Sequence, residues 1–399
     1  MKKILILGAG AWQTPYLKLA KSMGMRVFAT DWSPEAFGRF EADVFEPIDL
    51  QDWEASLAFA RKHKVDAVFS SADVGVPTAA YIAEKMGLPG HPLELATAAT
   101  NKFKMREKAK SFGLPIPEYE VVKDLNAALA AADRIGYPVI IKPIDSCASR
   151  GVFYIEDSNA LNAKFQESIS ASFKKAVLVE SFMVGQEGSV EALVQGDGKI
   201  IFLGMCSKKK SDLPFRFDLR LIYPGDYTEG QKKAIEAFIR KMVDGFGIRR
   251  GIIHVEIMVS GENIRLIEFG LRGCGSNVIT RLMPAITGFD VPRYLLEEAF
   301  EEHLPVEITR HDFGVLRFLM GGSGTIGSIS GAVEAGKLPG VVDVFIGAQP
   351  GDQVGVIKNG GGRLGYVMSR ASDRQTALEI AERAAGTIKF EGLSEYVFS

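Results

Sequence analysis

Two runs of apolar and β-branched residues, 251–260 and 264–270, flank Gly261-Glu262-Asn263, and each carries one glutamate among its apolar neighbours, Glu256 and Glu268. The pattern reads as a β-hairpin. In an antiparallel pair the facing residues have a constant sum of numbers and their side chains share a face. If Glu256 faces Glu268, Ser260 faces Ile264 and residues 261–263 form a three-residue loop, a common hairpin length. Two carboxylates directly opposite each other repel. A shared divalent cation offsets that cost, and one or two carboxylates plus phosphate oxygens is the ligand set magnesium takes. Arg272, two positions beyond Gly270, can then reach a phosphate or a carboxylate. A register shifted by one residue would put the acids on opposite faces and leave an ordinary hairpin.

Two further segments carry candidate chemistry. In Tyr137-Pro-Val-Ile-Ile-Lys142-Pro143-Ile-Asp-Ser146-Cys147-Ala148-Ser149-Arg150-Gly151 a strand delivers Lys142 into a turn of small residues. Backbone N–H groups in such a turn can cradle phosphate oxygens, with a lysine supplying the compensating charge. The spacing is not that of a Walker A loop. A hairpin with a surface lysine fits the same residues. In Val177-Leu-Val-Glu180-Ser181-Phe182-Met183-Val-Gly185-Gln-Glu187-Gly-Ser-Val-Glu191 an apolar strand runs through a short connector into an acidic strand. The connector's backbone and apolar side chains suit a nucleobase, and an acid a few residues on suits ribose hydroxyls. An edge strand with solvated acids is the plain alternative.

Residues 1–100 alternate strand signals (4–7, 26–30, 44–48, 67–70) with helical ones (15–23, 52–63, 76–86), which implies a parallel sheet covered by helices, a Rossmann-like unit. Gly8-Ala9-Gly10-Ala11-Trp12-Gln13 follows the first strand and Asp31 ends the second, approaching a dinucleotide fingerprint. Gln13 stands where the third glycine belongs, which weakens a reading as an NAD site and favours a tight turn, with a substrate group at the helix N-terminus as a further use of it.

A helix over 101–112 and the stop Gly113-Leu-Pro-Ile-Pro117 mark a boundary. Beyond it, 118–183 reads as a compact α+β unit, with strands at 118–122, 139–143, 152–156 and 176–182 and helices at 125–135 and 159–172. Residues 187–270 are strand-rich with one helix at 229–245, helices follow at 278–286 and 291–301, and from about 311 short strands and glycine turns lead to a last helix at 374–385. The basic run Lys208-Lys209-Lys210 falls between a strand ending near Cys206 and one beginning near Leu219. It reads as a solvated turn, or as a lid over 207–218 that closes on ligand.

Forty-seven basic against 49 acidic residues give a formal net charge of −2, which argues against a general nucleic-acid binder but allows a small anion in a local pocket. The apolar run at the N-terminus is too short for a secretory signal, and no stretch reaches the length of a membrane span. Three scattered cysteines (Cys147, Cys206, Cys274) fit neither a disulfide framework nor a zinc site. A cytoplasmic protein with reduced thiols is expected.

Together and in this order, these pieces resemble the ATP-grasp superfamily over nearly the whole chain, closest to the carboxylate–amine ligase branch that includes bacterial L-amino acid (dipeptide) ligases. Biotin carboxylase and the purine-pathway ligases are more distant relatives. The resemblance implies an α/β fold with an α+β core: a Rossmann-like domain at 1–100, a two-part ATP-grasp core at 101–310 with a lid subdomain at about 118–183, and a small strand-rich C-terminal domain at 311–399. It implies ATP and one or two Mg²⁺ ions, with Mn²⁺ as a substitute, and a carboxylate and an amine as small-molecule substrates joined through an acyl phosphate. It implies neither nucleic acid nor membrane as partner and leaves room for a homodimer.

By the same resemblance Lys102 and Lys142 are the ATP-phosphate lysines, and Ser146, Ser149, Arg150 and Gly151 belong to the loop that closes over the phosphates. Glu180, Ser181, Phe182 and Met183 form the adenine hinge, with Glu187 holding the ribose. Glu256 and Glu268 are the magnesium ligands, and Arg272, with Lys142, acts on the transferring phosphoryl group. Gly270 departs from the family's usual asparagine, a further metal ligand, and puts a second metal in doubt. His254 reads as a packed or supporting residue rather than a base. Rival readings are a carboxylase acting on bicarbonate, an NAD-dependent oxidoreductase resting on residues 8–31, and a non-catalytic ATP-binding regulator. The N-terminal turn and residues 206–220 are expected to shape the substrate pocket.

Overall fold

A computed structural model describes residues 1–146, 150–213, 215–302 and 305–394. The N-terminal unit contains β1 (Lys3–Leu7), α1 (Thr14–Ser22), β2 (Arg26–Asp31), β3 (Val44–Pro47), α2 (Trp53–His63), β4 (Ala67–Ser70) and α3 (Val76–Met86). Its four strands are parallel in the order β3-β2-β1-β4. Ile4, Leu5, Ile6 and Leu7 are all fully buried, as a strand covered on both faces requires, and this is why the sequence shows a continuous apolar run rather than alternation. Asp52 caps α2 by accepting from the Ala55 N–H, and Gly87 ends α3 in the left-handed region.

Two helices lead into the core. The first, α4 (Leu93–Ala99), was not expected: it is short and lies between Pro92 and Thr100. The second, α5 (Lys102–Ser111), starts where expected because Asn101 is its N-cap and accepts from the Lys104 N–H. Then come β5 (Tyr119–Val122), α6 (Leu125–Ile135), β6 (Val139–Pro143), β7 (Phe153–Ile155), α7 (Ser158–Ser170) and β8 (Val177–Ser181). These strands form an antiparallel sheet ordered β5-β8-β6-β7, and α6 and α7 pack on it through Ala128, Ala132, Leu161 and Phe165.

The rest of the core and the C-terminal region comprise β9 (Gln186–Val194), β10 (Ile200–Lys210), β11 (Asp218–Tyr223), α8 (Glu229–Phe246), β12 (Gly251–Ser260), β13 (Asn263–Gly270), α9 (Met283–Thr287), α10 (Val291–Glu298), β14 (Phe313–Leu319), β15 (Gly324–Ser330), α11 (Ala332–Gly336), β16 (Val341–Ile346), β17 (Gln353–Val354), β18 (Gly365–Ala371), α12 (Arg374–Thr387) and β19 (Lys389–Leu393). The core sheet runs on past residue 311: β14, β18 and β16 extend it into eight antiparallel strands, β13-β12-β9-β10-β11-β14-β18-β16, and β17-β15-β19 form a small sheet of their own. One expectation is corrected: the basic run is no turn. β10 continues to Lys210 because β9 and β11 pair with it on both sides, Ser207 facing Gly188 and Ile222, and Lys208 facing Leu221.

Candidate active site

The site is built around the β12–β13 hairpin. Glu256 faces Glu268 and His254 faces Gly270, so the two carboxylates share a face. Past that pair the register shifts: Ile257 faces Leu266 and Ser260 faces Asn263. The connecting loop is therefore Gly261-Glu262, one residue shorter than expected, and the spare residue is Ile267, left unpaired in a β-bulge. A longer loop and a bulge consume the same single residue, so the sequence could not separate them. The repulsion between the acids is offset by cations: Lys208 Nζ lies 2.7 Å from Glu256 Oε1, and Lys102 Nζ lies 3.0 Å from Glu268 Oε2. Two facing carboxylates are oxygen donors of the kind a hard divalent ion takes, and here two lysine ammoniums supply the compensating charge.

Arg272, expected to reach a phosphate or acyl group, carries an ion pair of its own. It grips Asp73 of the N-terminal unit in a two-pronged pair, Nε to Oδ1 at 2.7 Å and Nη2 to Oδ2 at 2.5 Å, and gives Nη1–H to the Gly273 carbonyl. Burial works to raise the Asp73 pKa, but Arg272 outweighs it and holds the carboxyl below its usual range. This bridge explains Gly270. A Cβ at position 270 would lie 3.3 Å from both Asp73 Oδ1 and Arg272 Cγ, so an asparagine there would press on the pair. Asp73, Arg272, Lys102, Glu268, Ser146 and Arg150 all border one cavity of about 360 Å³ between the N-terminal unit, the lid sheet and the hairpin.

The two lysines named from the sequence have different partners. Lys102 Nζ also donates to the Ser146 carbonyl at 2.8 Å, tying the helix to the small-residue turn. Lys142 lies 2.6 Å from Glu180, which in turn accepts from Arg106 Nε at 2.7 Å. Burial lowers the Lys142 pKa against the pull of Glu180. For Glu180 burial acts upward, and Arg106 with Lys142 outweighs it, keeping the carboxyl ionised. Glu180 thus turns its side chain into an ion cluster rather than toward a nucleobase. Ser181 N–H and Phe182 N–H bond to the Glu118 and Pro138 carbonyls. The Phe182 ring packs edge-on to Tyr154 at 4.9 Å and beneath Arg216 at 5.7 Å, and Met183 is buried beside it. Ser149 lies outside the described residues. Gly151 needs its left-handed φ of +73°, and a Cβ there would meet Pro143 Cγ at 2.9 Å.

Glu187, expected to hold a ribose, is surrounded by cations: Lys210 at 2.8 Å, Lys208 at 3.3 Å and Arg216 at 3.7 Å. Asp218 joins this group through Lys210 at 2.9 Å and Arg363 at 3.7 Å, and the Arg363 guanidinium lies over the Phe318 ring at 3.5 Å. Burial lowers the Lys208 pKa, but Asp218, Glu256 and Glu187 together drive it well above its usual value. His254 is buried with Nδ1 2.5 Å from Glu191 Oε1 and Nε2 3.4 Å from Glu256 Oε1. Burial opposes its protonation, yet Glu191 and Glu256 raise its pKa to about 9. Glu191 also accepts from the Cys274 N–H at 3.0 Å, fixing the chain just after Arg272. Sequence reasoning missed Asp73, Arg106, Glu191, Asp218 and Arg363. Only Arg106 left a usable signal, its i,i+4 spacing from Lys102 on one helix.

The N-terminal turn gives the dinucleotide reading no support. Asp31 spends its oxygens on the turn itself, accepting from Ala9 N–H at 2.8 Å and Ser33 N–H at 3.0 Å. The Gln13 side chain folds over Gly8 and Gly10, each within 3.1 Å of a Cβ added there. Trp12 packs on Phe345 at 4.8 Å and Tyr366 at 6.0 Å, fastening the turn to the C-terminal strands. Cys206 and Cys274 are free thiols. Among the described residues no helix is long and apolar enough to cross a membrane.

The ATP-grasp domain family matches residues 135–280, and the family described as L-amino acid ligase C-terminal domain 2 matches residues 317–391. A formate-dependent phosphoribosylglycinamide formyltransferase from Synechococcus sp. (strain CC9605) is 22% identical over 392 residues, covering 97% of this chain and 96% of the relative. The crystal structure of an L-amino acid ligase from Bacillus licheniformis superimposes with a TM-score of 0.82 at 20% identity, covering 100% of this chain and 99% of that one. N5-carboxyaminoimidazole ribonucleotide synthetase from Thermotoga maritima gives 0.76 at 21% identity, covering 99% and 100%. At such identities these structures establish a shared fold.

Proposed function

We propose that this chain, which carries an ATP-grasp domain joined to an L-amino acid ligase C-terminal domain, is an ADP-forming ligase that joins a small-molecule carboxylate to an amine. The observation that carries the reading is the facing pair Glu256 and Glu268, matched by Lys208 and Lys102, with Glu268, Lys102 and the Asp73–Arg272 bridge lining one cavity. Glu256 and Glu268 would hold magnesium, or manganese in its place, which supplies Lewis-acid neutralisation of phosphate charge. Lys102 and Lys142 add positive charge toward the phosphates, and Ser146, Arg150 and Gly151 belong to the turn that covers them. Phe182 and Met183 offer apolar faces to the base, and Glu187 stands at the ribose.

The substrate carboxylate attacks the terminal phosphorus in line, the bond to the bridging oxygen breaks, and ADP departs, leaving an acyl phosphate. The amine then attacks the acyl carbon and phosphate leaves, giving an amide. Arg272, oriented by Asp73, steadies the negative charge of the group in transit. Little covalent work falls to the protein, and its task is to position reactants and stabilise charge. The test is a phosphate-release screen with ATP and Mg²⁺ against amino acids, other small carboxylates and bicarbonate, alone and with amines. Phosphate and ADP released in equal amounts only when a carboxylate and an amine are both present is the expected result. Turnover with bicarbonate alone, or a melting shift with NAD and none with ATP, would overturn it.

A further inference from the structure

Lys208 has a role that the reading above does not give it. Its side chain is only 3% exposed, and its ammonium meets acids from three strands: Glu256 on β12 at 2.7 Å, Glu187 on β9 at 3.3 Å and Asp218 on β11 at 3.9 Å. Lys209 points to the opposite face and is exposed, so the inward placement is set by strand alternation and not by a flexible loop. Lys210 compensates Glu187 and Asp218 from the same face, with no contact to Glu256 among the described ion pairs. Lys208 is therefore the ammonium that joins the metal carboxylate Glu256 to the ribose carboxylate Glu187.

We propose that Lys208 is a resident cation that occupies Glu256 and blocks free divalent metal, so that metal enters the site only together with nucleotide. This rests on the reading of Glu256 as a metal ligand in a nucleotide site. An ammonium 2.7 Å from Glu256 Oε1 fills an acceptor site of that carboxylate, and it repels a second cation brought to the same group. Free metal must displace it and leave it buried with less counter-charge. A nucleotide changes the balance. Its phosphates supply negative charge that the ammonium can accept in exchange for Glu256, and its ribose hydroxyls can take Glu187. Because one ammonium serves both acids, engagement of the ribose acid and release of the metal acid are linked.

The experiment is titration of full-length protein with Mn²⁺, followed by electron paramagnetic resonance, with and without a non-hydrolysable ATP analogue. Lys208→Met removes the charge, and Lys208→Gln removes it while keeping a hydrogen-bond donor for the acids. Both are expected to bind Mn²⁺ alone at least tenfold more tightly than the unaltered protein, and adding Glu256→Gln to Lys208→Met should abolish the gain. With the ATP analogue present, the unaltered protein should bind Mn²⁺ tightly. Should both variants bind Mn²⁺ alone no better than the parent, while the parent still binds it with the analogue, the resident-cation idea is wrong and the ligase reading stands. If the parent binds no Mn²⁺ even with the analogue, the metal–nucleotide site itself is wrong. Mn²⁺ should also raise the melting temperature of each variant more than that of the parent. Variants that stay unfolded at every Mn²⁺ concentration would overturn the proposal, since the metal would then be unable to take the lysine's place.

Discussion

Arg106→Met tests the joint between α5, the lid sheet and the core. Arg106 is fully buried, and its guanidinium gives Nε–H to Glu180 Oε1 and Nη2–H to the Ile267 carbonyl, both at 2.7 Å. Methionine fills much of the same space without a donor. Glu180 then keeps Lys142 at 2.6 Å but loses its other counter-charge, and the bulged Ile267 carbonyl loses its partner. Removing one partner of a buried ion pair costs about 3–5 kcal/mol, and stranding a buried carbonyl costs about 1–3 kcal/mol. Because Lys142 still compensates Glu180, the ion-pair part should fall below its usual cost, and a loss of about 3–4 kcal/mol in all is expected. The internal control is Arg134→Met. Arg134 meets Glu120 at 2.6 Å, but the two side chains are 60% and 36% exposed. The geometry is as good but the pair is solvated, so this change should leave stability nearly unchanged. All three tryptophans, Trp12, Trp32 and Trp53, lie in the N-terminal unit, so fluorescence would miss the event. Hydrogen exchange over β6 and β8 reads it directly. At about 1.4 kcal/mol per tenfold, exchange there should quicken a few hundredfold in Arg106→Met. A change below fivefold, or one matched by Arg134→Met, would refute the view that burial gives this ion cluster its strength.

Glu268→Gln should lower ADP release by on the order of a hundredfold or more through lost metal-based charge stabilisation, while the melting temperature stays nearly constant, because the Glu268 side chain is 36% exposed and its lysine pair is worth little to folding. Gly270→Asn should not create a better metal site. Pressed against Asp73 and Arg272, it should displace Arg272 and lower kcat/KM for the carboxylate about tenfold to a hundredfold, as Asp73→Asn should, with the KM for ATP little changed. Restored or increased activity in Gly270→Asn would contradict the packing argument. His91, at the rim of a small cavity between the N-terminal unit and the core, has its pKa lowered to about 4 by burial and by Arg250. Its folded value lies below its unfolded one of about 6.5, so the unfolded chain takes up a proton that the folded chain refuses. Stability should fall as pH drops from about 6.5 toward 4, by about 2 kcal/mol after allowing for water in the cavity. Urea unfolding of His91→Gln should lose this slope, and an unchanged slope would place the acid sensitivity elsewhere.

What the sequence made legible follows one physical line. Strands and helices show themselves through local periodicity, and the core elements of the N-terminal unit and of the lid sheet stand close to where the pattern puts them. The Glu256–Glu268 pair was legible for the same reason, since both partners belong to one hairpin and the register is set by a turn a few residues away. Lys208 was misread because its inward face is justified only by acids at 187, 218 and 256, on three different strands. Without them, three adjacent lysines after Cys206 look like a solvated turn. Gly270 looked like a lost metal ligand because its reason, Asp73, lies in another unit of the chain. The continuation of the core sheet into β14 was hidden likewise, since β11 and β14 are far apart in sequence.

The misread charges share a further property. Arg106 links α5, the lid sheet and β13; the Asp73–Arg272 pair links the N-terminal unit to the hairpin; Arg363 links the C-terminal strands to Asp218 on β11. Each joins pieces of the chain that local pattern alone treats as separate, and each borders residues assigned to nucleotide, metal or phosphoryl contacts. A buried charge is tolerated only where its partner is supplied with good geometry. Elements that meet through such pairs therefore have little freedom in how they meet, whereas apolar contacts between the same elements would admit many arrangements. The relative placement of lid, hairpin and N-terminal unit, on which the chemistry depends, is in this way specified by ion pairs of long sequence separation. Those are the contacts that one-dimensional reading is least able to see.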